Sequence, residues 1–101
     1  MRPDFGTTNV SDSGTAVQFS TDSATRVLSA SFHARDGNAG PVYIGGDSTV
    51  LSSKGWELSA NEEKDINLLD FQGAGSLPPS TFWLNSGSTT AKCDFIFITE
   101  N

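Results

Sequence analysis

The sequence predicts a small single-domain all-β protein, a β-sandwich or jelly-roll-like fold of about eight short strands. Short segments alternate between apolar and polar residues, which is typical of strands with one buried face. Clusters of Gly, Pro, Asn, Asp and Ser separate these segments at near-regular spacing. Ser and Thr account for 24 of the 101 residues and aromatic residues for 10%, a composition that favours strands over helices or disorder.

The first 14 residues differ from the rest because they show no period of two or of 3.6. We therefore expect an extended N-terminal arm over residues 1–14, followed by the β-sandwich domain over residues 15–101. Phe5 and Val10 are the sizeable apolar side chains of this arm after the first methionine. Together with Arg2 they are predicted to contact a binding partner or a neighbouring protomer, because an extended segment can order on binding. The competing interpretation is a frayed terminus.

Strands in the first half of the domain are predicted at residues 15–20, 25–34, 42–44, 48–52 and 56–58. The segment 25–34 carries the clearest alternation, with its phenylalanine on one face and His33 on the other. The dense turn chemistry of residues 36–41 predicts that strands 25–34 and 42–44 form a hairpin.

Residues 59–71 admit two interpretations. Ser59 and Glu62 have the spacing of a helix capping box, whereas alternation favours a turn at residues 60–63 and a strand over residues 65–71. The strand is preferred because the segments around it are predicted to be strands. Further strands are expected at residues 81–84 and 91–99, with a turn at residues 85–88 between them.

The last predicted strand is apolar on both faces near its end. Cys93, Phe95 and Phe97 share one face, and Lys92, Asp94, Ile96 and Ile98 share the other. A small sandwich covers one face of a strand with its own core, so the second face is expected to meet a neighbouring subunit. We therefore predict a subunit interface that includes Ile96, Ile98 and His33.

The charge and the reactive residues argue against catalysis and against several classes of partner. The formal net charge is −6 and the six basic residues form no stripe, which disfavours nucleic acid and anionic membranes as partners. His33 is the single histidine and Cys93 the single cysteine, which offers no support for a metal site or a nucleophile–base pair. No enzymatic activity, cofactor or metal ion is expected, and Cys93 is predicted to be a small buried hydrophobe.

Three large aromatic residues offer a second hypothesis. Tyr43, Trp56 and Trp83 are candidates for a platform that stacks on the sugar rings of a glycan. The alternative is that they fill the core, as large aromatic residues do in small β domains.

An ordered series of short segments runs through the second part of the chain. The series comprises GPVYIG at 40–45, STV at 48–50, GWEL at 55–58, DINL at 65–68, FWLN at 82–85 and FIFI at 95–98. In this order the segments resemble small virion proteins of tailed bacteriophages, of the capsid decoration (cement) and head-fibre type. The chain departs from that pattern at the acidic turn, residues 60–63, and just before the last strand, at residues 90–92.

The resemblance implies a β-sandwich, a trimeric assembly and a place on the outside of a phage particle. The function it leads us to expect is that of a capsid decoration protein, which binds the outer surface of the head and stabilises it. Its partner would be the major capsid protein, and it would be made in the host cytoplasm because no signal peptide follows Met1. The alternative is a phage fibre or tail module that binds host-surface glycans through Tyr43, Trp56 or Trp83.

Overall fold

The computed structural model describes residues 2–10, 14–22, 25–50, 55–67, 77–88 and 90–99, and it confirms the all-β prediction. The strands in these residues are β1 (Arg2–Val10), β2 (Val17–Gln18), β3 (Val27–Ala34), β4 (Val42–Gly45), β5 (Trp56–Leu58), β6 (Glu63–Asn67), β7 (Trp83–Ser86) and β8 (Ala91–Thr99). A short 3₁₀ turn, Pro79–Thr81, precedes β7. No helix in this described part is long and apolar enough to cross a membrane.

The strands form two antiparallel four-stranded sheets that pack as a β-sandwich. The first sheet has the strand order β1-β8-β3-β6, and the second sheet has the order β2-β7-β4-β5. Between successive described strands the chain passes from one sheet to the other at every connection except the one from β4 to β5. Most strands that pair in a sheet are therefore distant in the sequence.

The prediction that β3 and β4 form a hairpin is wrong. β3 pairs with β6 and β8, whereas β4 pairs with β5 and β7 in the other sheet. The turn between them is held by β8 instead, because the Asn38 side chain donates to the Lys92 carbonyl and accepts from the Lys92 amide, both at 2.8 Å. Turn chemistry rich in Gly, Asn and Asp serves a crossing between sheets as well as it serves a hairpin.

The prediction of an extended N-terminal arm is also wrong in the part of residues 1–14 that the structure describes. Residues 2–10 form β1, which pairs with β8 over its whole length, and Val10 is fully buried in the core. The sequence shows no alternation here because β1 is an edge strand with small and polar residues on its inner side. Gly6 is one of them, and a Cβ at this position would lie 3.3 Å from Phe95 Cζ. The Phe95 ring of β8 thus occupies the space that a side chain at position 6 of β1 would need.

The core between the sheets contains a cluster of aromatic rings. Its members are Phe19, Phe32, Phe82, Phe95 and Phe97, and the contacting ring centroids lie 4.9–6.4 Å apart. Phe19 directly follows β2 and Phe82 directly precedes β7, which are strands of the second sheet. The other three rings belong to β3 and β8 of the first sheet, so these contacts join the two layers. Aromatic pairs of this kind contribute roughly 0.5–1.5 kcal/mol each beyond the burial of their area.

The ambiguous segment that begins at residue 59 is a turn followed by a strand. The Ser59 amide donates to Glu62 Oε1 at 2.6 Å, and the Glu62 amide donates to the Ser59 carbonyl at 3.0 Å. The partners of the predicted capping box therefore close a turn, in which Asn61 adopts the left-handed conformation with φ 70°. β6 follows directly, and residues 68–71 of the predicted strand lie outside the described residues.

Other strand boundaries differ in detail from the predictions, while the last strand, 91–99, is confirmed. Residues 48–50 contain a turn rather than the start of a strand, and residues 51–52 lie outside the described residues. Asn85 was predicted in a turn but belongs to β7. Its side-chain amide donates to the carbonyls of Val50 at 2.8 Å and Gly14 at 3.3 Å, so it ties two loops to the strand.

Candidate functional site

The outer face of the first sheet, which is directed away from the core, gathers residues from all four strands. Directly paired residues of antiparallel strands lie on the same face. Phe5 of β1 is paired with Ile96 of β8, Ile96 with Ser31 of β3, and Ser31 with Asp65 of β6. This row crosses the middle of the outer face, and the residues two positions away on each strand extend it.

An apolar patch lies at the β1–β8 side of this outer face. Phe5 is 72% exposed and Ile96 is 47% exposed. The next pair along the two strands consists of Pro3, which is exposed, and Ile98, which is half-buried. These four residues constitute the apolar patch. Single exposed apolar side chains are common, but a contiguous group on a sheet is typical of a surface that contacts another protein.

A polar network borders the apolar patch. Arg35 Nε donates to both carboxylate oxygens of Asp94, at 2.9 and 3.0 Å, and Arg35 Nη2 donates to the Thr7 hydroxyl at 3.2 Å. The Thr7 hydroxyl in turn donates to Asp94 Oδ1 at 2.6 Å. The hydrogen bonds from Arg35 are the main reason that the pKa of the Asp94 carboxyl lies below its usual range. The network links β1 and β8 to the residue that follows β3.

His33 joins the network from β3. Its Nδ1 lies 3.5 Å from Asp94 Oδ2, and its Nε2 lies 3.0 Å from Asn61 Oδ1 in the turn before β6. The hydrogen bond to Asn61 is the main cause that raises the pKa of His33, and Asp94 and Glu63 raise it further against a lowering by partial desolvation. These neighbours favour the protonated ring because only that form donates from both nitrogens.

An open depression of about 240 Å³ lies in the outer face between β8, β3 and β6. Its lining includes Ser31, His33, Glu63, Asp65, Asp94 and Ile96. Ile96 gives it an apolar wall on the side of the patch, and two carboxylates stand on the side of β6. The depression and the apolar patch therefore share one residue and form one continuous surface.

The structure brings together two groups of predicted contact residues. Phe5 was predicted as an anchor of the arm, whereas Ile96, Ile98 and His33 were predicted as a subunit interface. All four lie on the same outer face. Their proximity depends on the pairing of β1 with β8, which joins positions near opposite ends of the sequence.

Val10, another predicted arm contact, does not join this surface. Val10 is fully buried, so its assignment to a partner contact is wrong: its side chain is part of the core. Arg2 begins β1, where its backbone is paired with Thr99.

The polar network has no local signature in the sequence. Thr7 and Asp94 are 87 residues apart, and Thr7 and Arg35 are 28 residues apart. No local pattern could have revealed the network, because its members meet only through the strand order and register of the first sheet. The sequence signal that was available is the alternation of β8, which places Asp94 on the same face as Ile96.

The three aromatic residues of the glycan hypothesis do not form one platform. Tyr43 and Trp83 lie on the outer face of the second sheet, where both are half-buried. Trp56 is paired with the buried Ile44, so it is directed to the opposite side of that sheet, at the edge of the sandwich. There it is 42% exposed, and Lys64 Nζ lies 5.0 Å from its ring centroid. A stacking platform could therefore use two of these residues at most.

Cys93 is fully buried, as the sequence predicts, and it is a free cysteine in this chain. Desolvation is the main cause that raises the pKa of its thiol to about 12. The protonated thiol is a poor nucleophile and a poor metal ligand, so Cys93 serves packing. Within the described ranges no group of three or more His, Cys, Asp and Glu side chains is placed to hold a metal ion.

No protein-family model, curated protein or solved structure matches this chain. The resemblance to phage virion proteins therefore stays a prediction.

Proposed function

We propose that this chain is a structural virion protein that decorates the outer surface of a bacteriophage head and stabilises it. The observation that carries the proposal is the apolar patch, in which Phe5 and Ile96 are exposed side by side on a four-stranded sheet. Such a patch is suited to burial against another protein. The segments that resemble capsid decoration and head-fibre proteins supply the partners, namely the major capsid protein and further copies of this chain.

Decoration of a capsid requires binding and rigidity rather than chemistry. The polar network around Asp94 holds together the strands that carry the apolar patch. An apolar anchor buried at a partner contributes roughly 1.5–3 kcal/mol. An exposed ion pair such as that of Arg35 and Asp94 contributes about 0–1 kcal/mol. The apolar residues therefore supply most of the attraction, and the network fixes the geometry in which they are presented.

The chain acts as a homotrimer in this proposal. The subunit contact involves the outer face with Ile96, Ile98 and His33. Three joined copies present three identical contacts to the particle, and linked contacts that engage together bind much more tightly than one. The net charge of −6 keeps the free protein soluble before it assembles.

Purified particles from cells that carry the coding sequence test this role directly. We expect mass spectrometry to find the chain in many copies per particle and immunogold label to cover the heads. Particles that lack the chain should release their DNA at a lower temperature, and added protein should restore their resistance. Absence from the particles would refute the virion role. Label confined to fibres, with binding to a glycan array, would favour the fibre alternative.

Matched variants connect this role to the apolar patch. A protein with Phe5→Ser and Ile96→Ser should fail to restore heat resistance, because both anchors are lost. A Trp56→Ser protein, which loses an exposed aromatic residue elsewhere, should restore it as the wild type does. Comparable melting temperatures of the free proteins would show that the fold is intact. Full restoration by the double variant would show that the patch is not the contact surface.

A further inference from the structure

The outer face of the first sheet carries both a protruding aromatic side chain and an open depression. We propose that the depression between β8, β3 and β6 accepts the Phe5 ring of a second copy of this chain. The inference rests on the self-association proposed above and specifies the contact that produces it.

Phe5 does not fill the depression of its own chain. It lies on β1, and β8 separates β1 from β3 in the sheet. At the usual strand spacing of about 4.8 Å, the distance from β1 to β3 is roughly 10 Å. The Phe5 side chain is 72% exposed, so the described residues of its own chain leave most of it uncovered. Burial of this ring therefore needs another molecule.

The depression has the size and the chemistry to hold a phenyl ring. Its volume is about 240 Å³, larger than the enclosed apolar cavity of about 150 Å³ that holds benzene in another protein, so a phenyl ring fits into this open and more polar depression. Ile96 provides an apolar wall, and the small side chain of Ser31 leaves the space above β3 open. Glu63 and Asp65 stand at the rim, where the partly positive edge of an aromatic ring is attracted to carboxylates.

The charge of the outer face allows two copies to meet. The chain has a formal net charge of −6, and two copies would repel one another through most acidic surfaces. The outer face is closer to neutral because its charged side chains include both signs. The basic members are Arg35 and Lys92, and the acidic members are Glu63, Asp65 and Asp94. A second copy can therefore approach this face with little repulsion.

The extent and arrangement of the face also suit contact between copies. The strands β1, β8, β3 and β6 have 9, 9, 8 and 5 residues and lie about 4.8 Å apart, so the face covers roughly 500 Å². Every copy offers one Phe5 and one depression, so a closed ring of copies can fill every depression.

Sedimentation velocity on the purified full chain at tens of micromolar tests the proposal. Phe5→Ser removes the ring, and Ser31→Trp fills the depression with a side chain of its own copy. Each variant should raise the dissociation constant at least about 30-fold, since anchor residues dominate an interface. Trp56→Ser is the matched control, and it should change the constant less than about twofold. Unchanged melting temperatures would show that each variant folds.

Disulfide trapping identifies the contact directly. A Pro3→Cys protein, which keeps the Phe5 ring and carries its thiol two positions away on the same face of β1, and a mass-tagged Asp65→Cys protein, mixed and oxidised, should form a mixed disulfide in higher yield than either protein forms with itself. Wild-type protein, which retains the buried Cys93, gives the background.

Three outcomes would overturn the inference. It fails if the wild type is monomeric, or if both variants associate as the wild type does. It also fails if the mixed disulfide stays at background. None of these results decides whether the chain is present on phage particles, so failure of this contact is distinguishable from failure of the proposed function.

Discussion

The Phe95 ring of β8 packs directly against Gly6 of β1, its paired residue on the edge strand. A Cβ at Gly6 would lie 3.3 Å from Phe95 Cζ, closer than ordinary van der Waals contact allows without adjustment. The smallest residue of β1 thus makes room for a ring that completes the core.

Replacement of Gly6 by Val should destabilise the protein by about 1–3 kcal/mol, because the added methyl groups must displace the Phe95 ring. Urea unfolding would measure the change. Combined with Phe95→Leu, the same substitution should cost less, since the smaller side chain frees the space. Equal costs in the two backgrounds would show that the ring does not determine the need for glycine.

Removal of residues 1–10 should abolish cooperative folding or strongly destabilise it. The truncation exposes the edge of β8 and takes the buried Val10 out of the core. Val10→Ala alone should cost on the order of 2 kcal/mol. Asn9→Ala, at the exposed neighbouring position, is the control and should change little. A truncated protein that melts as the full chain does would mean that β1 contributes little to the fold.

Asp94→Asn should destabilise the protein at neutral pH, and the difference from the wild type should fade in acid. Hydrogen bonds from Arg35 lower the folded-state pKa of Asp94. Its stabilisation is therefore present above the unfolded pKa of about 4 and is lost as the pH falls through the lower folded value. Urea unfolding between about pH 2 and pH 7 would measure this.

Asp65→Asn is the matched control for this experiment, since Asp65 is a carboxylate of the same outer face that lies outside the polar network. A difference between wild type and Asp94→Asn that stays constant from neutral to strongly acid pH would contradict a stabilising role of the Asp94 carboxylate.

His33 should retain its proton to higher pH than an unperturbed histidine, and Asn61→Ala should lower its pKa. The hydrogen bond to Asn61 is the largest cause of the raised value. Because the chain has one histidine, an NMR titration of the imidazole signals assigns the pKa without ambiguity. Asn9→Ala serves as a control that leaves the ring environment alone. Identical titrations of wild type and Asn61→Ala would exclude the hydrogen bond as the cause.

The raised pKa of His33 has a defined effect on the stability of the fold. A raised folded-state pKa stabilises the fold fully below the unfolded value of about 6.5, and this contribution disappears as the pH rises through the folded value. His33→Gln should therefore flatten the decline in stability between mildly acid and mildly alkaline pH, as followed by thermal unfolding.

The fold class and the strands with contrasting faces could be predicted from the sequence. In the first part of β8, Cys93 is buried while Lys92 is exposed, so the alternation of residue types matches the two faces of the strand, whereas near its end both the buried Phe97 and the exposed Ile96 are apolar. β1 shows no such contrast because the core-facing position 6 must be a glycine. Where the side chains of the neighbouring strand determine which residues fit an edge strand, the sequence of the edge strand shows little alternation of its own.

The candidate site could be predicted only in part. Ile96 and Ile98 were identified because they lie on the second face of an apolar strand. The proximity of Ile96 and Ile98 to Phe5 depends on the pairing of β1 with β8, and so does the proximity of Thr7 to Asp94. That pairing joins distant parts of the sequence, and no local pattern specifies it.

β8 lies between β1 and β3 in the first sheet, although it is the last described strand to leave the ribosome. During synthesis β1 and β3 therefore stay without β8, the strand with which both of them pair, until it has been made. Chains dominated by such distant pairings fold in milliseconds to seconds, more slowly than helical domains. Unpaired strand edges are prone to aggregation in that interval. The nascent chain is thus the state in which we expect this protein to depend most on chaperones.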